Sequence, residues 1–414
     1  MIIFYLENTE YRLNLEKAGL KTSGGDPAIK TGPMFDALYY ARHENSVRTK
    51  VLVTGNRPKD KKYIVPVGVG HSPGDWAKEQ LFDAVMPFAE DMRQGLAFLM
   101  IDQSHEGHHA TWLFQWFHNI CEMYKLPVSQ IIYVTGDLTV SEKYAEWSRK
   151  RGYKKKIMTI PYVHFEQFIF QQMEDFGTVS FDEHVDYKLN NLNSVNTYNC
   201  LQKRPRGHRI YLYDKLEQEG LLEHGINSMN AIDLEATYIN MPVERRIELN
   251  VNLPLLPINF KDDNSVFSSD DCGHYIGQLN TPIMLQSFLT VVSEASYFSN
   301  TCFISEKTFK PIAAQHPFII FGNPRILKKL RNMGYRTFNG LIDEQYDLED
   351  DLFERIDRIS HELKQLSLQS PENQLKWFLE TREICEHNYQ VFIDNCTKHQ
   401  RKRFIPLFNY IKRS

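Results

Sequence analysis

Two α/β domains with an all-helical C-terminus are the fold class this sequence predicts, and three observations predict it. Short apolar runs closed by small or acidic residues, such as LAFLMID (96–102) and IIYVTGD (131–137), alternate with stretches of helical periodicity, the rhythm of parallel strands joined by crossover helices. That rhythm lapses over residues 171–195, which are polar and carry Asn190, Asn191 and Asn193, and then it restarts. From residue 348 onward the periodicity is helical alone. The predicted organisation is therefore a Rossmann-like domain over 1–190, a second over 191–370, and closing helices over 371–414 that pack back on the first.

The elements follow in order. MIIFYLE opens as a buried strand, KTSGGDPAIKTGP (21–33) is turn-rich, and MFDALYYARH (34–43) has helical spacing. VLVTG (51–55) and YIVPVGVG (63–70) are strand-like, the latter interrupted by Pro66. A helix is expected over 75–94, the strand LAFLMID next, then helices over 110–124 and 141–153 flanking IIYVTGD, then KIMTIPYVHF (156–165). In the second half NTYNCLQ (196–202) is followed by a helix over 208–225 and by irregular sequence to about 285. LTVVSEAS (289–296), a turn feeding a helix over 302–315, the strand PFIIFG (317–322) and a helix over 323–335 come next. Helices over 348–366 and 372–404 close the chain. No internal repeat is present.

Composition bounds the function. The chain has 414 residues, 42% hydrophobic and 13% aromatic, enough to build two cores and to exclude disorder as the main state. The most apolar runs, such as GLAFLMI (95–101), are far shorter than the roughly 20 residues a bilayer requires, so no membrane span is expected. The N-terminus has no basic start and no sustained apolar stretch, so no secretory signal is read. Six cysteines without a CxxC pair fit a reducing, cytoplasmic compartment. The formal charge of −4 gives no global signature of polyanion binding, while leaving room for a local basic groove.

Ligands in open α/β sheets sit beyond the carboxyl ends of the strands, so residues just after strands carry the weight. KRPRGHR places Lys203, Arg204, Arg206, His208 and Arg209 between a strand and a helix start, where backbone N–H groups and the dipole already favour an anion. In FISEKTFKPIAAQ (303–315), Ser305 or Thr308 is placed to cap a helix. Glu306 and Lys307 then fall in its first turn, with Lys310 beyond. A carboxylate there can accept both hydroxyls of a ribose, and lysines set against the dipole suit an anionic ligand. IDQSHEGHH (101–109) holds Asp102, His105 and Glu106 directly after a strand, candidates for a general base and its helper. The same string contains His105-Glu106-x-x-His109, the spacing of a zinc hydrolase, although Gly107 and the preceding strand disfavour the regular helix that chemistry needs. VGVGHSPGDW (67–76) lacks the spacing of a phosphate-binding loop. The basic tail around RKRF (401–404), interleaved with Phe404, Phe408 and Tyr410, reads as a solvated helix face or a nucleic-acid contact.

SEAS, ISEKTFKPI and PFIIFG together resemble the donor-binding region of fucosyltransferase-type glycosyltransferases, and HRIYLYDKL (208–216) is similar to that family's upstream segment. The pattern, with GY-x-TF (334–338) and IDEQYD (342–347), also resembles glycosyltransferase-like proteins of phages and bacteria. The resemblance covers roughly 196–347. It implies a GT-B fold, two Rossmann-like domains facing a cleft. Arg209 and Lys307 would hold the donor pyrophosphate, with Arg204, Ser305 and Lys310 also in the donor site, Glu306 would hold the ribose, and Glu294 the sugar or a neighbouring loop. It implies an inverting transfer from a nucleotide-diphosphate sugar to a glycan or a modified base in DNA. No Asp-x-Asp metal motif stands at a strand end, so no metal cofactor is expected. Ser293-Glu294-Ala295 and Lys310-Pro311-Ile312 depart from the family's Phe-Glu-Asn and Asn-Ala-Leu, which leaves the nucleotide-diphosphate half of the site as the part best matched. A zinc hydrolase and a non-catalytic nucleotide- or glycan-binding module are the alternatives.

Overall fold

A computed structural model describes residues 2–5, 49–52, 57–69, 74, 81, 86–107, 111–202, 206–228, 279–297, 300–398 and 400–413. The chain divides into two compact units. One is Met1–Gln167 with Asn300–Phe303 and Asn395–Ser414, the other Phe168–Ser299 with Ile304–Asp394. Both are Rossmann-like α/β units built on a parallel sheet.

The first unit's sheet has six strands: β1 (Ile2–Tyr5), β2 (Thr49–Leu52), β3 (Tyr63–Gly68), β4 (Ala97–Gln103), β5 (Ile131–Thr135) and β6 (Met158–Pro161), in the order β2-β1-β3-β4-β5-β6. Every residue of β4 is buried, so the strand reads as a continuous apolar run rather than an alternation. Its two faces nonetheless meet different partners, as the period of two requires. Ala97, Leu99 and Ile101 share a core with helices α1 (Ala89–Arg93), α2 (Thr111–Met123) and α3 (Val140–Lys150). Phe98 and Met100 face the C-terminal helix Gln400–Arg413, through Phe404, Leu407 and Ile411. Of the aromatics of the basic tail, Phe404 is thus a core residue, and Phe408 and Tyr410 pack part-buried against that core. Pro66 is tolerated inside β3 because the register with β1 pairs only Ile3 with Tyr63 and Phe4 with Ile64, so the missing N–H falls beyond that ladder. Helix α4 (His164–Phe176) follows β6.

The second unit opens within α4 and has a four-stranded sheet, β7 (Asn196–Leu201), β8 (Gly225–Ser228), β9 (Ser287–Ser293) and β10 (Phe318–Phe321), ordered β10-β9-β7-β8. Around it lie α5 (Phe181–Asn190), α6 (Gly207–Gln218), α7 (Thr281–Leu285), α8 (Glu306–Ala313), α9 (Ile326–Asn332), α10 (Leu352–Ser367), α11 (Pro371–Glu380) and α12 (Arg382–Cys396). The Gln400–Arg413 helix is α13.

Three expectations are corrected. The polar stretch 171–195, where the rhythm lapses, contains α5, started by a capping box in which Ser180 Oγ accepts from Glu183 N and the Glu183 carboxylate accepts from Ser180 N. Its Phe181, His184 and Lys188 form one buried stripe that the polar composition hid. The helix read over 208–225 ends at Gln218, and β8 lies in sequence expected to be irregular or helical. Gly225 opens that strand because the Tyr198 ring occupies the place a Cβ would take. The run 372–404 is three helices, broken at Thr381 and after Cys396. The helix expected over 34–43 lies outside the described residues.

Candidate functional site

In the second unit the chain goes from β7 to β8 on one side and returns to β9 on the other, so the order reverses between the adjacent strands β7 and β9. Ligands of open α/β sheets bind at such a reversal, beyond the carboxyl ends. Helices α6 and α8 start there, behind Arg206 and Ser305.

Glu294, the first residue past β9, organises this edge. Its Oε1 accepts from Ser305 N (3.0 Å) and Thr308 Oγ1 (2.7 Å), and its Oε2 from Ser305 Oγ (2.5 Å) and Ala295 N (3.3 Å). Four donors fill the acceptor capacity of one carboxylate. Glu294 thereby braces the start of α8. Gly322, after β10, admits its side chain, with Glu294 Cβ 3.0 Å from where a glycine Cβ would stand.

Arg209, in the first turn of α6, is buried and donates from Nη2 to the carbonyls of Ser293 (2.9 Å) and Glu294 (3.2 Å). Burial, and then the charge of Arg206, pull its pKa down to about 10, while Glu294 and Glu306 lie close enough to oppose the shift. Lys307 donates to Glu306 Oε1 (2.5 Å) and Ser305 Oγ (3.4 Å). Arg209 and Lys307, 98 positions apart in the sequence, therefore attach to the hydrogen-bonded pair Glu294 and Ser305, one to each, from two helix starts. Ser305 is the N-cap of α8, accepting from Lys307 N. Burial raises the Glu306 carboxyl, but Lys307 and Lys310 outweigh it and hold the group below the usual range. Burial takes Lys310 down to about 8 against the pull of Glu306. Arg204 lies outside the described residues.

Three further polar atoms share this edge, one on His208, which the sequence marks, and two on Ser293 and Gln202, which it does not. His208 faces the Glu294 carbonyl through Nε2 (3.0 Å), and burial together with Arg209 pushes its pKa well below the ordinary value. The neutral ring must carry its proton on Nε2, which leaves Nδ1 a bare acceptor. His208 Nδ1, Ser293 Oγ and Gln202 Oε1 are buried with no hydrogen-bond partner among the described residues. Tyr297 lies beside the His208 ring, centroids 4.6 Å apart. Ser293 and Gln202 were findable only as the residues that end the apolar runs of β9 and β7.

In the first unit, Asp102, His105 and Glu106 gather at the carboxyl end of β4. Asp102 is fully buried and its Oδ1 accepts from Ser104 N (3.0 Å) and Oγ (2.6 Å). His105 and Glu106 are half-buried in a turn, not a helix. The Glu106 carbonyl accepts from Gly136 N (3.0 Å), pinning the turn to the end of β5. His109 lies outside the described residues, and among these no group of three or more His, Cys, Asp or Glu side chains could hold a metal. Asp137, after β5, is an unforeseen structural residue. It accepts from Thr139 and from Cys302 N (3.2 Å), and Lys143 lies 3.4 Å away. Phe303 packs where Cβ atoms on Gly107 and Gly136 would be, so these two glycines seat the 300–303 segment.

No family model matches the sequence, and no curated protein does. Among solved structures, the chain is similar to the N-terminal domain of the trehalose-6-phosphate phosphatase of Candida albicans, at a TM-score of 0.38 and 8% identity over 96% of each chain. A likeness of that degree carries no argument about fold or function. Among the described residues no helix is long and apolar enough to cross a membrane.

Proposed function

We propose that the second unit binds the diphosphate of a nucleotide-sugar at the start of α8, and that the protein is a glycosyltransferase. The observation that carries this reading is Lys307 in the first turn of α8, set against the helix dipole, on a Glu306 carboxylate that Lys310, in the last turn, and Arg209 also lie near. Cations at a helix N-terminus cost stability unless an anion repays it, and Glu306 alone is a small counterweight. A diphosphate would exchange for the Glu306 contact of Lys307 and leave that carboxylate to the ribose hydroxyls. The sequence resemblance points the same way.

The transfer forms a bond from an acceptor oxygen to the anomeric carbon and breaks the bond from that carbon to the phosphate oxygen. The nucleoside diphosphate leaves with the electron pair, and the acceptor proton passes to a carboxylate. Lys307 and Lys310 stabilise charge that grows on the leaving group. Asp102 and Glu106, at the carboxyl end of β4, are the two carboxylates proposed for that proton. The acceptor is a glycan or a DNA base.

Thermal shift and calorimetry with UDP, GDP, CDP and dTDP, each beside its monophosphate, test the reading. One diphosphate should raise the melting temperature, its monophosphate less, and Lys307→Ala should weaken binding about 10- to 100-fold, as loss of a charge-assisted bond does. A chain that no nucleotide stabilises would remove the donor site. Binding without transfer or donor hydrolysis would instead identify a non-catalytic module.

A further inference from the structure

The first unit carries a concentration of positive charge that the donor-site reading does not use. Parallel strands bring their amino ends to one edge, and the segments 57–62 and 149–157 lead into β3 and β6 at that edge. Helix α13 ends there too. Lys62 Nζ donates to the Ile411 carbonyl (3.1 Å), Tyr410 Oη donates to the Ser129 carbonyl just before β5 (2.7 Å), and Arg413 lines a shallow groove with Met158, the first residue of β6. The edge therefore gathers Lys59 and Lys61, the run Lys154-Lys155-Lys156, and Lys412 and Arg413, all exposed. The segments 57–62, 149–157 and 400–413 contain one carboxylate, Asp60. No ion pair joins any of these seven cations to an acidic group among the described residues, whereas Lys150, one turn earlier on α3, pairs with Glu146 at 2.7 Å. Glu90, Asp91 and Glu122 precede β4 and β5 at the same edge, so the positive charge is concentrated in these three segments rather than spread over the whole edge.

We propose that this amino edge is a docking surface for the phosphate backbone of a nucleic-acid duplex. Charge complementarity favours a polyanion. Its spacing favours a backbone over a lone phosphate, because the cations come from three separate segments rather than converging on one cradle. The ring faces near these cations are engaged, which favours a duplex over a single strand: Phe404 is buried in the sheet core, Tyr153 lies against Trp147, centroids 5.3 Å apart, and Tyr410, which lines the groove beside Arg413, is part-buried with its Oη tied to the Ser129 carbonyl. Binding here is sequence-independent and lies at the opposite end of the strands from Asp102 and Glu106.

The test is fluorescence anisotropy of the full chain with a 20-base-pair duplex of arbitrary sequence across a salt series. Affinity should fall steeply with salt and be indifferent to sequence. Lys154→Ala/Lys155→Ala/Lys156→Ala should weaken binding at least tenfold and reduce the log–log salt slope by roughly 3, about one per lost phosphate contact. An unchanged thermal melt shows the triple variant folded. A single strand of equal length should bind more weakly, and vesicles containing anionic lipid should not compete. Equal binding by the triple variant, preference for the single strand, or binding to vesicles in place of the duplex would each overturn the proposal. No nucleotide-sugar enters the assay, so its failure is separate from failure of the donor site.

Discussion

Glu294 shows how a residue can be legible in position and not in role. Its place after an apolar run marks it as a strand-end carboxylate. The four donors it accepts come from Ala295 and from the turn opening α8, eleven to fourteen residues on, and no spacing rule foretells that. An amide in its place would turn an N–H pair toward donors. Glu294→Gln should therefore destabilise the protein by about 1–3 kcal/mol, the cost of buried groups left unmatched. Urea unfolding checks this, and an unchanged midpoint would mean the brace is unimportant. Arg209 differs again. The sequence marks it as a phosphate ligand, yet its Nη2 is engaged with two strand-end carbonyls, a contact across 84 and 85 positions.

The elements that sequence periodicity finds are those with a long apolar stripe. β4, β5, β9 and β10 are buried at every position and stand out as uninterrupted runs. β8 escapes because GINS is short and half-buried, and α5 because a three-residue stripe is all it buries. For α13 the helix was legible but not its anchorage. Glu166, fully buried on α4, pairs with Arg403 and accepts from Asn395 Nδ2 at 3.0 Å. Removing one partner of a buried pair strands the other, so Glu166→Ala should cost about 3–5 kcal/mol, read as a drop in the denaturation midpoint. A loss under 1 kcal/mol would show that the apolar contacts of Phe404, Leu407 and Ile411 hold the helix unaided.

Across the whole molecule, buried bases set the response to pH. Burial, then Lys188, lowers His184 to about 3, and burial drives His208 and His316 well down, so the folded state refuses protons that the unfolded chain takes up below about pH 6.5. Burial likewise brings Lys188 to about 7, although it donates to the carbonyls of Met284 (3.3 Å) and Leu285 (3.2 Å). A lowered folded pKa means the penalty is full below 7 and fades as pH climbs toward 10.5. Stability should therefore fall as pH drops from 6.5, while Lys188 adds a gain above pH 7 that the buried thiols of Cys121, Cys200, Cys385 and Cys396, pushed up by burial, oppose above about pH 9. Asp347, raised by burial to about 6, opposes the first trend in part. Melting temperatures of the native chain and of Lys188→Met across pH 5 to 10 check this: the variant should lose the alkaline gain, and a retained gain would acquit the lysine. The division into two units has a temporal side. Because residues 395–414 complete the first unit and 300–303 belong to it as well, ribosomal synthesis delivers the cover for one sheet face only after the second unit has been made. The sheet face that Phe404, Leu407 and Ile411 cover is thus exposed while the second unit emerges, and a chain stopped before residue 395 lacks that cover.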